Sequence, residues 1–445
     1  MSTNSVPLPG AFHRLWSASL ASNLADGVAM VVMPLLAMRL SDDPFVVSVV
    51  TALTFLPWLL LGVLSGAVVD RSDRRRVMGG GALARAAAYV VLAIVAATVG
   101  IPLWLLFATV FLAACVETLA DGAAQAMVPS LVPVERLDTA NSRFQAGELV
   151  MQGMVALPLG AALFSVAVPL PMVVGALAYA GAAVLVLTLP RRAGRPVAHP
   201  STEPAAEPAA AAEEPAPEES LWAATRAGLR YTFTHPDLRG LVLVTATIAL
   251  TLQFAQGSLM FYLVRGVGVP EAALGVLTAG MALGGVAGAI GSPVLGRKLG
   301  RRRVMVSATA MTGLAFVALA LVPRGTAGIL VAAVAMAVAA MSATVWNVQS
   351  STVRQLIVPG AMLGRVNGAT RTLVWGLAPC GALLGGLVSR IDLRLPLVVG
   401  GAMAIIAAVV AVPHLAFVDG VGAPESERGV EGEESEVAEA ELALH

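Results

Sequence analysis

Arg74–Met78 reads RRRVM, and the same five letters return at Arg301–Met305, 227 positions later. Two further anchors recur in the same order at an offset of 226: Val132-Pro133 with Val358-Pro359, and Asn141 with Asn367. A short basic string alone would be weak evidence for a repeat. Because all these anchors share nearly one offset, the sequence predicts two copies of one structural unit.

The composition around these anchors is that of a membrane protein. Of 445 residues, 57% are hydrophobic and only 13% are charged, against about 25% charged residues in soluble domains. The mean hydropathy of +0.82 over the whole chain cannot come from one or two anchoring helices. We therefore expect most of the chain to lie in the lipid bilayer.

The charged and reactive residues exclude several other functions. Lys+Arg and Asp+Glu balance at 28 each, so no basic surplus indicates a nucleic-acid binder. Only Cys115 and Cys380 are present, too few for a disulfide framework or a zinc site. The sequence contains no nucleotide-binding loop, nucleophile motif or metal-ligand cluster. We expect no enzyme activity, no cofactor and no metal, and an energy source other than ATP hydrolysis by this chain.

Twelve apolar runs are long enough to cross a bilayer core of about 30 Å. They are predicted at 14–39, 45–69, 77–99, 103–128, 140–167, 169–190, 239–264, 270–295, 303–322, 326–350, 362–388 and 394–417. The N-terminus lacks the features of a removable signal peptide. Arg and Lys concentrate near the N-terminus and in the loops after even-numbered spans, as in cytoplasmic loops. This pattern predicts a multi-pass protein of the inner (plasma) membrane with both termini in the cytoplasm.

The spans and the repeat predict four regions. Residues 1–190 form one six-helix bundle, and residues 239–417 form the second. Residues 191–238 form a cytoplasmic linker, largely disordered because its centre is rich in Ala, Pro and Glu. Residues 418–445 form an acidic cytoplasmic tail. Two such bundles with a binding site between them are typical of a secondary transporter.

The loop between spans two and three carries a motif that points to a family. Gly66-Ala-Val-Val-Asp70-Arg71-Ser-Asp73-Arg74-Arg75-Arg76 resembles the loop signature of the major facilitator superfamily. Asp73 stands where that family usually has Gly, and Gly296 replaces the Asp70 acid in the second copy. The motif, with Gly-rich stretches in spans five and eleven, resembles the export branch that includes enterobactin exporters, macrolide efflux pumps and Tap-like mycobacterial pumps. The resemblance implies an all-α membrane protein with 12 transmembrane helices in two six-helix bundles.

The same motif predicts a cytoplasmic gate. Asp70 could accept hydrogen bonds from a facing helix N-terminus or pair with nearby arginines. The residues assigned to this gate are Gly66, Asp70, Arg71, Arg74, Arg75, Arg365 and Arg371.

Four carboxylates within the spans are candidates for proton coupling, because an ionisable residue in lipid costs at least about 2.5–3.5 kcal/mol. They are Asp26, Glu117, Asp121 and Glu148. Arg85 is the clear cation in the same half and could form an intramembrane ion pair with Asp121 or Glu117; on this alternative the paired acids, and equally Glu148, would fix helix register rather than carry protons. The acids outnumber the cations, so Asp26 or Glu117 is predicted to carry protons. A proton rather than a sodium ion is implied by the family resemblance.

Polar and bulky residues near the membrane midplane are candidates for a substrate cavity. They are Asn23, Gln125, Gln152, Gln253, Gln256, Trp346 and Asn347. Each amide could instead make an interhelical hydrogen bond. The leading hypothesis is a monomeric, proton-coupled exporter of hydrophobic or amphipathic small molecules such as antibiotics. The alternatives are a dedicated siderophore or metabolite exporter, a nutrient importer, and a non-transporting scaffold or sensor.

Overall fold

The computed structural model describes residues 8–133, 136–191 and 221–420. Within these ranges, side chains are described except at 62–71, 138, 221–225, 272, 276, 279, 360, 361, 363–365, 367 and 371. The predicted acidic tail beyond residue 420 and the centre of the predicted linker lie outside the described residues.

Twelve helical segments in this part of the chain are long and apolar enough to cross a membrane, which confirms the predicted number of spans. The single-piece helices are α1 (Gly10–Leu40), α2 (Pro44–Arg71), α3 (Arg74–Thr98), α4 (Leu103–Leu131), α6 (Pro169–Leu187), α8 (Glu271–Leu299), α9 (Arg301–Ala320), α10 (Thr326–Ile357), α11 (Gly360–Ser389) and α12 (Leu395–His414). The composite helices are α5 (Leu137–Glu148, π-helical Leu149–Ala156, Leu157–Val166) and α7 (Pro236–Gln256, Leu259–Phe261, π-helical Tyr262–Val267).

The packing of these helices follows the repeat. In the first half α1 packs against α5 and α6, and α3 packs against α4 and α6; in the second half α7 packs against α11 and α12, and α9 packs against α10 and α12. The pairs α2–α4 and α8–α10 also correspond. The two halves meet mainly through α2 with α11 and α5 with α8. The two six-helix bundles therefore contact each other mainly through these four helices, with smaller contacts from α1 and α7.

Small residues allow the closest of these approaches. A Cβ atom added to Gly27 of α1 would lie 2.6 Å from the Gln152 carbonyl oxygen in the π-helical part of α5. A Cβ added to Gly275 of α8 would overlap the Pro158 Cα on α5. α5, with its π-helical middle segment, is thus held between α1 of its own half and α8 of the other half. π-Helical turns inside α-helices are frequent at functional sites.

The predicted linker contains a helix that sequence analysis missed. Leu221–Thr234, named the linker helix, packs on α11 and also contacts α2. Its described side chains alternate with helical period: Gly228 and Thr232 are buried, while Arg226, Arg230 and Phe233 are exposed. One face therefore packs on the protein and the other carries charge, which is the pattern of an amphipathic helix. The expected disorder of this interval does not extend to its last part.

Candidate functional site

Asp26 is at the centre of a buried polar cluster in the first half. The Arg85 Nη1 donates to Asp26 Oδ1 at 2.9 Å, and the Tyr179 hydroxyl donates to the same oxygen at 2.6 Å. The Ser22 hydroxyl donates to Asp26 Oδ2 at 3.3 Å and accepts from Arg85 Nη2 at 2.8 Å. Asp26 is only 8% exposed and Arg85 only 2%. A buried ion pair of this kind is retained only when additional hydrogen bonds satisfy its atoms.

Aromatic rings enclose this pair. The Arg85 guanidinium lies 4.3 Å from the centre of the Tyr179 ring, a cation–π geometry. Tyr89 packs edge-on against Tyr179 with ring centres 5.3 Å apart. Three helices, α1, α3 and α6, therefore fix the position of the guanidinium. Neither tyrosine was singled out by sequence analysis, because a lone Tyr in an apolar span gives no signal of its own.

The expected partner of Arg85 was wrong. Sequence analysis paired this arginine with Asp121 or Glu117, whereas the structure pairs it with Asp26. Depth in the membrane, which the sequence gives, was compatible with all three acids. The rotation of α1 and α3 about their axes decides the pairing, and it directs Asp26 rather than an α4 acid towards Arg85.

Glu117 lies beside this pair without joining it. Glu117 is half-buried, and it makes no hydrogen bond or ion pair with any residue in the described part of the chain. It interacts electrostatically with Asp26, Asp121 and Glu148, and with Arg85. The structure thus brings the three other predicted carboxylates into electrostatic reach of Glu117, together with one guanidinium. Fully ionised, this group would carry an excess of negative charge.

Several predicted polar residues are solvent-accessible at mid-span. Asp121 and Gln125 on α4, Glu148 on α5 and Asn347 on α10 are all exposed. Charged side chains are too costly to expose to lipid tails, so we infer that Asp121 and Glu148 face a water-filled space between the halves, named the inner cavity. Asn23, Gln152, Gln253 and Gln256 are half-buried.

Trp346 does not belong to the inner cavity. Only 2% of this side chain is exposed, and it packs in an apolar cluster with Leu241, Ile248 and Val353. A sequence pattern cannot separate a midplane Trp in a bundle core from one on a cavity wall. The structure assigns Trp346 to the core of the second half.

An aromatic stack joins the two halves at mid-depth. Phe55 of α2 and Trp375 of α11 stack with ring centres 5.4 Å apart, and Trp58 lies 6.5 Å from Trp375. Trp375 is 40% exposed, so one face of the stack remains available. Sequence analysis missed this contact, because it joins residues far apart in the chain and on different halves.

The predicted gate residues are only partly described. The side chains of Gly66, Asp70, Arg71, Arg365 and Arg371 lie outside the described residues. Arg74 donates to the Ala126 carbonyl oxygen of α4 at 3.0 Å. Arg75 donates to the Leu187 and Leu189 carbonyl oxygens at the end of α6, at 3.1 and 2.9 Å. These bonds bind α3 to its own bundle.

The repeat reproduces this anchoring. Arg302, the counterpart of Arg75, donates through Nη2 to the Val412 carbonyl oxygen of α12 at 2.8 Å. Cationic side chains at the carboxyl end of a helix satisfy free carbonyl groups and interact favourably with the helix dipole. Each bundle therefore has an arginine that anchors its third helix to the end of its sixth.

Three ion pairs close the opposite face of the molecule, where α1 ends and α2 begins. Arg39 pairs with Glu271 at 2.6 Å, and Arg265 pairs with Asp42 at 2.9 Å. Arg390 Nε donates to Asp43 Oδ1 at 3.0 Å. Each pair joins the first half to the second, so we name this set the cross-half ion pairs. The sequence pattern did not predict these pairs, because each joins residues far apart in the chain.

The Asp43 carboxylate is held in its charged form by this contact. The hydrogen bond from Arg390 is the largest influence and lowers the pKa of Asp43 below its ordinary value of 3.8, with a smaller contribution in the same direction from the Phe45 backbone N–H. The guanidinium pKa of Arg390 is raised in return. Both groups are charged at any physiological pH, so the contact is permanent while the halves touch on this face.

No metal centre accompanies these groups: the described residues include no cluster of three or more His, Cys, Asp or Glu side chains that could hold an ion.

Comparison with known proteins gives the family. The family model of the Major Facilitator Superfamily matches residues 15–380. Multidrug efflux pump Tap of Mycolicibacterium fortuitum is 26% identical over 378 residues, covering 83% of this chain and 87% of that protein. Macrolide efflux protein A of Streptococcus pyogenes is 30% identical over 126 residues, covering 28% of this chain and only 31% of that relative.

A solved structure shows the same fold. The crystal structure of a bacterial homologue of the iron transporter ferroportin, in an inward-facing state, aligns with 91% of this chain and 98% of that one. The TM-score is 0.71 at 18% sequence identity. The family match covers most of the chain, and the helices, their pairing and the loop motif agree with it. This chain is therefore not an enzyme but a multi-pass membrane transporter of small molecules that belongs to the Major Facilitator Superfamily.

Proposed function

We propose that this transporter is a secondary active exporter of hydrophobic or amphipathic small molecules, driven by proton antiport through alternating access. One observation carries the proposal: in the first half, Asp26, Asp121 and Glu148 lie within electrostatic reach of Glu117 together with one described guanidinium, and Glu117 makes no hydrogen bond or ion pair with the described residues. A proton carrier needs a carboxylate of this kind. Protonation of Glu117 removes the cost of a charge inside the membrane and breaks no hydrogen bond or ion pair with the described residues.

The two central acids have different roles in this mechanism. Asp26 is occupied by Arg85, Tyr179 and Ser22, so it holds the guanidinium in place. Glu117 takes up the proton when the site faces the exterior and releases it when the site faces the cytoplasm. Without its proton, Glu117 adds to the repulsion among Asp26, Asp121 and Glu148, which favours a rearrangement that separates these acids.

The lining of the inner cavity supports an amphipathic substrate. The exposed face of Trp375 in the Phe55 stack offers an apolar platform between the halves. Asp121 and Glu148 are exposed acids, and they favour a substrate with a positively charged group. The Tap pump and macrolide efflux protein A are both named for drug efflux.

Topology follows from the same proposal. We assign the cross-half ion pairs to the exterior and the basic loops to the cytoplasm, so the structure represents a state closed towards the outside. Both termini then lie in the cytoplasm, the protein resides in the inner (plasma) membrane, and it works as a monomer. Residues 1–190 and 239–417 act as the two moving bundles.

The test is efflux from cells that express the protein. Cells loaded with ethidium or with radiolabelled erythromycin should lose the compound faster than cells with an empty vector, and a protonophore should abolish the difference. Glu117→Gln should reduce proton-dependent export at least tenfold, because it removes the titratable group with little change in volume. The matched control is Asp237→Asn, which neutralises an exposed acid in the first turn of α7 and should leave export unchanged. Parental export that survives the protonophore would overturn proton coupling.

A further inference from the structure

The second half contains a neutral counterpart of the Asp26 cluster. Ala25-Asp26-Gly27 of α1 corresponds to Ala255-Gln256-Gly257 of α7, and Met30 and Met260 follow at the same spacing. The two glycines pack alike: a Cβ on Gly27 would lie 2.6 Å from the Gln152 carbonyl oxygen of α5, and a Cβ on Gly257 would lie 2.6 Å from the Ala382 carbonyl oxygen of α11. Gln256 therefore occupies the place of Asp26.

The neighbours of Asp26 are replaced in the same way. At the offset of 227 set by the RRRVM strings, Arg85 corresponds to Thr312 and Tyr89 to Phe316. At the offset of 226 set by the Val-Pro anchors, Glu117 corresponds to Ala343. In the second copy, Gln256, Thr312, Phe316 and Ala343 stand at the positions of the ionisable Asp26, Arg85, Tyr89 and Glu117. The second copy has thus lost its charge and much of its side-chain volume.

The lost volume leaves a cavity of about 70 Å³ within the second half. Its wall includes Gln256, Met281, Phe316, Met336, Ala339 and Ala343; we name this cavity the Gln256 pocket. Phe316, Met336 and Ala339 are buried, whereas Gln256, Met281 and Ala343 are half-buried. The pocket therefore has a closed apolar floor and a more accessible rim.

The rim lies near the junction of the halves. Met281 adjoins Ala282, whose Cβ would lie 3.3 Å from a Cβ on Gly153 of the π-helical part of α5. The side-chain amide of Gln256 makes no hydrogen bond with any residue that the structure describes. An amide at the rim of an apolar pocket is placed to hydrogen-bond to a polar atom of a molecule that enters the pocket.

We propose that the Gln256 pocket binds a branched or small cyclic apolar group of the exported molecule, and that the Gln256 amide hydrogen-bonds to a hydroxyl or carbonyl oxygen beside that group. This inference rests on the proposed export function and names the part of the substrate that the second half recognises. The pocket has about half the volume of the ~150 Å³ cavity that admits benzene, so it suits a group of roughly three or four carbon atoms. Proton and substrate then occupy corresponding sites in opposite halves and do not compete for the same side chain.

The test measures equilibrium binding of radiolabelled erythromycin, which carries methyl-rich rings beside hydroxyl groups, to the purified full-length protein in detergent. Ala343→Leu places three extra carbon atoms at the pocket rim, and we expect the dissociation constant to rise at least tenfold. Gln256→Leu keeps the side chain large but removes the amide, and we expect a rise of about fivefold. Ala402→Leu makes the same change as Ala343→Leu at an exposed position of α12 and should leave binding unchanged.

The outcomes separate this inference from the function on which it rests. Erythromycin binding by the parent that is equal in Ala343→Leu and Gln256→Leu overturns the pocket proposal and leaves export intact. No binding and no export of erythromycin by the parent overturns the proposed macrolide export and the pocket proposal together. If Ala343→Leu does not fold, as judged by gel filtration, Gln256→Leu alone decides.

Discussion

The Arg85 side chain is surrounded by groups from three helices. Asp26 and Ser22 on α1 accept its hydrogen bonds, and the Tyr179 ring of α6 covers its face. Two opposite charges in a dry interior attract each other strongly, but removing both from water is costly. The Asp26–Arg85 ion pair therefore fixes the geometry of the cluster more than it adds to net stability. The cost of burying a charge is measurable when one of the two partners is removed.

Arg85→Gln should lower the free energy of unfolding by about 3–5 kcal/mol, because Asp26 is then buried without its counter-charge. The double variant Asp26→Asn/Arg85→Gln should recover most of that loss, since no buried charge remains. Thermal unfolding of the detergent-purified variants measures both. Equal destabilisation in the single and the double variant would contradict a coupled ion pair.

The helix ends that carry the basic strings explain a departure from the family motif. Asp73, where the family usually has Gly, accepts hydrogen bonds from the backbone N–H groups of Arg75 at 3.0 Å and Arg76 at 3.3 Å. It is thus the N-cap of α3. In the second copy Gly300 occupies the same place before α9, with a φ of +82° that favours glycine. The two copies begin the same helix by different means.

Asp73→Ala should therefore lower stability by about 1 kcal/mol, the usual loss for an N-cap acceptor. Asp73→Ser should keep most of it, because the serine hydroxyl can accept from the same backbone groups. The unfolding temperatures of the two variants give the comparison. A serine variant as unstable as the alanine variant would show that the carboxylate acts through charge rather than as a cap.

Features that depend on neighbouring residues in the chain could be predicted from the sequence, whereas contacts between distant helices could not. Apolar run length predicts all twelve spans, and the repeated RRRVM string predicts the paired bundles, because both are properties of adjacent residues. The partner of Arg85 depends on helix rotation, and the contacts of Arg390 with Asp43 and of Trp375 with Phe55 join different halves. Such pairs form only when the helices pack together, so the spacing of residues along the chain does not predict them.

For the molecule as a whole, the balance between its states depends on the contacts between halves. On the closed face these include three ion pairs, supported by α2 with α11 and α5 with α8. Exposed ion pairs are individually weak and are screened by salt. They can therefore hold the face shut and still separate during each cycle.

The pH dependence of this closure follows from Asp43. Its pKa in the closed state lies below 3.8, so the stabilisation it adds is fully present above that ordinary value and is lost as pH falls through the lowered value. Spin labels at Ser41→Cys and Ile391→Cys, in a background lacking Cys115 and Cys380, report the separation of the halves. The difference in closed population between the parent and Asp43→Asn should stay constant from pH 8 to 5 and be lost only as pH falls below 3.8, the ordinary value for Asp. A difference that disappears between pH 7 and 5 would contradict the assignment.

A separate prediction concerns the linker between the two bundles. Deleting residues 202–220, which precede the linker helix and lie outside the described residues, should leave ethidium export nearly intact, because an Ala/Pro/Glu segment contributes reach rather than packing. Deleting the linker helix as well should impair export, since that helix packs on α11. Loss of activity in the shorter deletion would indicate that the segment binds a partner.

Arg75 and Arg302 each tie the third helix of a bundle to the end of its sixth. These hydrogen bonds lie within each six-helix bundle and do not depend on contact with the other bundle. The gene could then be divided within the linker into two reading frames. Co-expressed as separate polypeptides, the two products should insert independently, find each other in the bilayer and reconstitute export that neither fragment supports alone.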